Sequence, residues 1–473
     1  MTLLRKLLLL ILLLGLNSCT VGPEYKPSEL GAPEKFVLQE ALNKLKNNDR
    51  ERNNPQLSLN WWQGFPDPVL NELVNTGIEN NYRIAAASAR VKEARELLKL
   101  AGSQDALSAV ASIDSNAGGE FDISDVSTDG NYNLSGSLGL VLPLDIFGSI
   151  TRQEQAALAR IEGRYAELQG TILDVSSDIT GQYLRLRGNQ RQLALLEESV
   201  ELQEKTLSIV NSRYNAGLSP ELDVRRAEAS VENLRADIPR LRESLINSRN
   251  LIATLTGRYP GAYEDLLSKF KEIPEYSSSV PQVIPADVLS LRPDVRQAEA
   301  ELKQAVAEVG VATAEFYPFF QLVGQISIGA SGINGDSLMN LLIGSIGALI
   351  EQVVADGGAR RANLNIAKSR TDLSLANYRQ TLLDAMNEVE ITLSSLESSF
   401  ERQESLKKAV AASERSFHQA EILYTQGLTS FLDVVDAQRV LASAQQDLAS
   451  AKTEYAFQIA NLFRVLGTKI NSE

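Results

Sequence analysis

Arg213–Glu228 reads RYNAGLSPELDVRRAE, and Leu423–Gln438 reads LYTQGLTSFLDVVDAQ. Each stretch carries a tyrosine (Tyr214, Tyr424), a glycine three residues on (Gly217, Gly427), and a Leu-Asp-Val triplet (Leu222 to Val224, Leu432 to Val434) that begins five residues past the glycine. The two glycines are 210 residues apart. The same offset pairs Gly257, closing LTG, with Gly467, closing VLG; TILDV from Thr171 with TLLDA from Thr381; and Gly148 with Gly358. Further upstream the offset becomes 211, where RIAAASARVKEA from Arg83 matches DVRQAEAELKQA from Asp294 in its pattern of small and apolar residues. Separated matches at nearly one offset mark an internal duplication.

Each half is expected to run helix, two strands, very long helix, turn, helix. In the last helix of half one, Val224, Ala227, Val231, Leu234, Ile238, Leu241, Leu245, Ser248, Ile252 and Leu255 fall at alternating steps of three and four. Half two repeats this with Val434, Ala437, Leu441, Ala444, Leu448, Ala451, Tyr455, Gln458, Leu462 and Val465, each set breaking once, at Ser248 and Gln458. Such a seam is the signature of a coiled coil. The preceding helix carries it too, from Leu193 to Tyr214, with Gln203 in the one polar slot. No proline interrupts Gly148 to Tyr214, and about 65 residues at about 1.5 Å each is roughly 100 Å of helix. A second such helix is expected from Gly358 to Tyr424. Gly217 and Gly427 end them, as glycine does at helix C-termini, and Leu-Asp-Val begins each return helix. Pro239 inside one return helix predicts a kink.

The predicted strands lie at the other end of these hairpins. Tyr132, Leu134, Gly136, Leu138, Leu140 and Leu142 alternate with Asn133, Ser135, Ser137 and Gly139; Phe320, Leu322, Gly324, Ile326 and Ile328 alternate with Gln321, Val323, Gln325, Ser327 and Gly329. That alternation suits a membrane barrel with a wet interior, and equally a half-exposed soluble sheet. Their partners, near Val110 to Asp122 and Leu341 to Ile350, are weaker signals. Four strands cannot close a barrel and open edges cannot sit in lipid, so a membrane reading requires several protomers to share one barrel.

Composition narrows the function. The formal net charge is −14, which argues against a nucleic-acid binder, whose phosphate contacts need clustered Lys and Arg. The single Cys (Cys19) and single His (His418) leave no zinc site, disulfide framework or Cys/His catalytic pair within one chain. No phosphate-binding glycine loop or nucleophile elbow is present, so no enzyme, metal or cofactor is expected. Arg5 and Lys6 precede an apolar stretch from Leu7 to Leu16 and then LNSC, too short to span a bilayer and typical of a signal peptide. The Cys at the end of LNSC fits a lipoprotein signal, with Cys19 lipidated as the first mature residue. Thr20 after it, rather than Asp, favours the outer membrane.

CTVGPEYKP at Cys19, WWQGFPDPVLNELV at Trp61, LRPDVRQAEAEL at Leu291 and the paired turns resemble the outer-membrane factor family over essentially the whole chain. The nearest branch is the NodT-like, TolC-related lipoprotein channels of tripartite efflux pumps. The resemblance implies a mainly α protein with a membrane β-barrel: a homotrimer with a 12-stranded barrel above a 12-helix periplasmic tunnel. It implies a periplasmic adaptor and a proton-driven inner-membrane transporter of the resistance-nodulation-division (RND) type as partners, outer-membrane lipid around the barrel, and a covalent lipid on Cys19 as the only attached group. It also implies a periplasmic gate just past the hairpin glycines, here Leu432, Asp433, Asp436 and Tyr424, with Leu222, Asp223 and Tyr214 from half one; the turns at Gly217 and Gly427 are the expected adaptor contacts. Arg226 departs from this pattern, standing where half two has Asp436, and is free to pair with a neighbouring Asp. Capping of a helix start is an equal reading of Asp223, since an acid there stabilises the helix.

The expected organisation is therefore a signal peptide (1–18), a lipidated arm (19–60), a first repeat (61–257; strands about 110–142, hairpin about 148–256), a linker or equatorial region (258–291), a second repeat (292–467; strands about 317–351, hairpin about 358–466) and a tail (468–473). Two other readings compete with an efflux duct: the exit duct of a type I protein-secretion system, and a structural trimeric coiled-coil adhesin, against which the duplicated strand pairs argue.

Overall fold

The computed structural model describes residues 20–26, 60–122, 127–277, 291–333 and 336–467. Cys19, the signal peptide, most of the arm, part of the linker and the tail lie outside the described residues.

Two helices open the described core, α1 (Pro68–Asn80) and α2 (Tyr82–Gly102), followed by β1 (Ser108–Asp122), β2 (Ser127–Leu144), α3 (Ser149–Asn215) and α4 (Glu221–Leu255). After a short α5 (Glu264–Leu267), the order recurs as α6 (Pro293–Ala314), β3 (Phe319–Ile333), β4 (Asp336–Glu351), α7 (Ala359–Thr425) and α8 (Phe431–Leu466). The long helices α3 and α7 have 67 residues each and start and stop 210 residues apart, as the sequence offset requires. No described helix is long and apolar enough to cross a membrane.

The chain divides into two compact units. One holds the described parts of Met1–Glu29, Arg90–Tyr165 and Gln297–Arg379; the other holds those of Leu30–Ala89, Ala166–Arg296 and Gln380–Glu473.

The first unit contains one antiparallel sheet in the order β1-β2-β3-β4. The central pairing, β2 with β3, joins the two repeats. Its register sorts the faces. Leu134, Leu138, Leu140 and Leu142 lie opposite Ala330, Ile326, Gly324 and Leu322, and β4 continues the same rows with Ile346 opposite Gly324 and Leu342 opposite Ile328. One face is thus almost wholly apolar, bulky residues meeting glycines across strands: Leu140, Gly324, Ile346 in one row and Ile113, Gly136, Ile328, Leu342 in another. The other face carries Ser112, Ser137, Ser327 and Gln325. Ile346 is 95% exposed and Ile113 83%, so the apolar face is uncovered within one chain. β1 and β4 are edges.

The second unit is cored by the WWQGFPDPVLNELV stretch. Trp61 stacks on Phe463 of α8 at 5.3 Å, and Trp62, Phe65, Leu70 and Leu73 pack with Ile179, Tyr183 and Leu184 of α3. Asp67 caps α1 by accepting the Val69 amide at 2.9 Å. Its other oxygen accepts the Tyr183 hydroxyl. Arg187, fully buried, donates to that same hydroxyl at 2.9 Å and to the Lys269 carbonyl at 2.9 Å, and so fastens the start of the linker to α3.

Each repeat is closed by one device. Asn81, between α1 and α2, donates its amide to the Leu255 carbonyl at 2.7 Å. Its equivalent Arg292, before α6, donates to the Val465 carbonyl at 2.7 Å. Beside these bonds Gly257 and Gly467 take φ of +71° and +74°. A Cβ on Gly257 would collide with the Asn80 carbonyl oxygen, and one on Gly467 would stand 2.9 Å from that of Leu291. This explains why LTG and VLG recur: backbone passes where no side chain fits.

The seam positions of α4 and α8 are all buried or half-buried, Ser248 included. Tyr214, at the end of the α3 seam, is instead exposed. α4 runs on through Pro239, the position where the sequence predicts a kink. Proline removes one main-chain hydrogen bond, and here the residue is exposed while the half-buried seam residues Ile238 and Leu241 on either side hold the helix to its partner.

Candidate functional site: the paired hairpin turns

Both long helices end in the same main-chain geometry. The Gly217 amide donates to the Tyr214 carbonyl at 2.9 Å and the Leu218 amide to that of Arg213 at 2.8 Å; Gly427 and Leu428 repeat this with Tyr424 and Leu423, at 2.9 Å each. This is the Schellman closure, whose turning residue adopts the left-handed conformation. Gly217 and Gly427 do so, at φ +74° and +75°. Nothing lies within 4 Å of a Cβ placed on either, so backbone conformation rather than space selects glycine. The leucines that follow, Leu218 and Leu428, are exposed at the tips. They stand in the YxxGL motif itself, yet only a turn this tight reveals that they face outward.

Past the turns the Leu-Asp-Val triplets enter α4 and α8. Val224 and Val434 go inward, joining Val210, Ala227, Phe417 and Phe431 in one apolar cluster. Leu222 and Leu432 remain 55% and 59% exposed. Of the acids between them, Asp433 caps its helix and Asp223 binds a hydroxyl of the turn. Asp433 forms a capping box with Ser430. Its Oδ2 accepts the Thr429 and Ser430 hydroxyls at 2.5 and 2.7 Å and the Ser430 amide at 3.0 Å. Those hydroxyls, and then the amide, hold its pKa below the usual aspartate value. Asp223 accepts the Ser219 hydroxyl at 3.0 Å. Asp436, one turn further in, pairs with Arg439 at 2.8 Å on an exposed surface. Arg226 is exposed and, among the described residues, has no ion-pair partner in the chain.

The two copies differ at the tyrosine. Tyr424 is 5% exposed, Tyr214 42%. The Tyr424 ring lies 5.9 Å from Phe431, and the Arg213 guanidinium sits 4.8 Å over its centroid. Arg213 also donates to the Tyr424 carbonyl at 3.2 Å, tying the end of α3 to that of α7. The structure therefore brings Tyr424 into the core of the hairpin pair and leaves Tyr214 outside it. Sequence reasoning missed Arg213, which no periodic signal marks.

The profile of the outer membrane efflux protein family matches residues 73–258 and again 284–468. The chain belongs to that family. It is 31% identical to nodulation protein T of Rhizobium leguminosarum bv. trifolii over 458 residues, 97% of this chain and 95% of that protein. It is 26% identical to TtgC, the outer membrane protein of a toluene efflux pump in Pseudomonas putida, across 96% of this chain and 93% of that one. The structure of the outer-membrane channel OprN, 29% identical, superposes with a TM-score of 0.85 over 95% of this chain and 99% of that one. This outer membrane efflux protein is a channel component of the outer membrane with no catalytic role. The apolar sheet face, uncovered within one chain, is the surface suited to lipid.

Proposed function

We propose that three copies assemble into the exit duct of a tripartite pump for drugs or other small solutes. The observation that carries this reading is the sheet: four strands with two unpaired edges and one uncovered apolar face. Unpaired backbone groups do not persist in lipid. Pairing β1 of one copy with β4 of the next gives twelve strands and no edge, with twelve helix segments forming the tunnel below. Cys19 carries the lipid anchor. A periplasmic adaptor engages the turns at Gly217 and Gly427, helped by exposed Leu218 and Leu428, and an RND-type transporter supplies the energy. Native mass spectrometry of the detergent-extracted protein is expected to return three chains; a folded, membrane-inserted monomer refutes the assembly.

Leu432, Asp433 and Asp436, with Leu222, Asp223, Tyr214 and Tyr424 behind or beside them, form the resting gate in this reading. Three copies of Leu432 plug the mouth, and three copies of each acid surround it, attracting cations. Because Asp433 also caps α8, Asn is the informative replacement: it keeps an oxygen acceptor and removes the charge. Asp433→Asn with Asp436→Asn should weaken block by a trivalent cation on the periplasmic side. Leu432→Ala should raise resting single-channel conductance. Wild-type block and conductance in these variants place the gate elsewhere.

A further inference from the structure

The stretch after Cys19 is held against the first unit by contacts that the channel reading leaves unexplained. The Val21 amide donates to the Phe147 carbonyl at 3.2 Å. Arg152, in the first turn of α3 and only 4% exposed, donates its Nε to the Val21 carbonyl at 3.1 Å and an Nη to the Gly22 carbonyl at 3.3 Å. Its other Nη binds Gln155 at 2.8 Å. Gly22, at φ +94°, lies against Gly310 of α6; a Cβ there would be 2.5 Å from the Gly310 Cα. A Cβ on Gly310 would meet the Arg152 side chain at 2.7 Å, and one on Gly148 would meet Thr20 at 2.6 Å. Tyr25 donates to Glu299 at 3.0 Å, under the Lys303 ammonium at 5.6 Å from its ring. Burial, with Glu299 beside it, pushes the Tyr25 hydroxyl up, so it is the protonated donor at neutral pH.

The duplication provides an internal control. The counterparts of Gly148 and Arg152 at the 210-residue offset are Gly358 and Ala362, and that of Gly310 at the 211-residue offset is Lys99. A Cβ placed on Gly358 would have nothing within 4 Å. The buried guanidinium of the first repeat and the bare backbone of Gly310 in the second thus have no counterpart at the duplicated positions, and Gly358 lacks the close packing of Gly148. A buried Arg is stable only with its donors satisfied, and two of its acceptors here are carbonyls of this segment.

We propose that Thr20–Tyr25 is a docking strap. Its receptor, built from Arg152, the bare backbone of Gly310 and the Glu299–Lys303 pair, fixes the anchored end of the mature chain to the first turn of α3, where a free tether would leave it loose. The proposal rests on the lipid-anchor reading for what the strap connects, but docking itself is separately measurable.

The test uses the full-length protein purified from outer membranes. Mass spectrometry of the N-terminal peptide reports whether Cys19 is lipidated, and hydrogen exchange reports protection over residues 20–26. Wild type should show slow exchange there. Arg152→Met, and independently Gly22→Ala, which leaves Arg152 in place, should each speed exchange by at least about tenfold, with α3 beyond its first turns unchanged. Endoproteinase cleavage after exposed Glu24 should accelerate in both. Lipidated protein whose strap exchanges equally fast in wild type and both variants overturns the strap and leaves the anchor standing. A protected strap on an unlipidated chain overturns the anchor and leaves the docking standing.

Discussion

Arg292→Met is expected to destabilise the protein by about 3–5 kcal/mol, the usual cost of removing one partner from a buried charge network. The Arg292 side chain is 8% exposed. It donates to both oxygens of Asp294 at 3.0 and 2.7 Å, to Glu388 at 2.7 Å and to the Val465 carbonyl. Methionine fills the volume but leaves that carbonyl without its donor and Glu388 with Arg464 alone, at 2.6 Å. Denaturation followed by helical circular dichroism, with hydrogen exchange at the start of α6 and the end of α8, is the measurement. Arg292→Lys should fall between, since a point charge cannot serve three directions as a planar fork does. The pH dependence has a definite sign. Burial alone would raise the Glu388 carboxyl, but the Arg292 and Arg464 bonds and charges outweigh it and hold the pKa below the usual glutamate value. A depressed acid contributes its stability above its unfolded pKa and loses it as pH falls through the folded one. The gap between wild type and Arg292→Met should therefore be full near neutrality and shrink below about pH 4. A variant within about 1 kcal/mol of wild type at pH 7 means that the network is dispensable.

Asp67→Ala should be of similar size, about 3–5 kcal/mol for the charge network, with about 1 kcal/mol more for the lost helix cap. Asp67 serves α1, Tyr183 and, at 3.5 Å, Lys271. Without it Tyr183 loses its acceptor and the fully buried Arg187 loses the carboxylate that it reaches through that hydroxyl. Desolvation opposes ionisation of Asp67. The Tyr183 bond, the Val69 amide and the nearby Lys271 and Arg187 charges more than compensate, so its pKa is lowered. Its contribution too is present above the ordinary aspartate range and disappears on acidification. Asp67→Asn keeps an oxygen for the Val69 amide and should cost less. Exchange at residues 267–277 should rise in Asp67→Ala, because Arg187 holds Lys269. Unchanged exchange there, with a normal melting transition, contradicts the link.

The features legible in the sequence were those with a local or periodic cause. A left-handed turn needs glycine, so Gly217 and Gly427 announced both hairpins and Gly257 and Gly467 both repeat ends. A strand facing two environments alternates, so Leu134 to Leu142 and Phe320 to Ile328 declared their faces, and the long seams declared the helices. What could not be read were partners brought together across the chain. Arg152 holding Gly22, Arg292 holding Val465 and Arg213 holding Tyr424 are single arginines with no periodic spacing to mark their partners. β1 was faint because Ser, Gly and Asp dominate it. The acids past the turns were legible as residues but ambiguous in role, since an acid at a helix start can serve the cap whatever else it faces; Asp433 is engaged in that task here, while Asp223 holds the Ser219 hydroxyl.

Descent from one ancestral half does not make the halves interchangeable. The joint that closes each repeat is a neutral amide in one, Asn81 to Leu255, and a guanidinium bound to two carboxylates in the other, Arg292 to Val465. In a threefold assembly these six nearly equivalent joints fall into two alternating classes. Acid reaches only the charged class, through Glu388. Its loosening should therefore run around the ring at every second position, leaving three unresponsive joints as pivots, so that an object built with almost sixfold regularity yields to a chemical stimulus with only threefold symmetry.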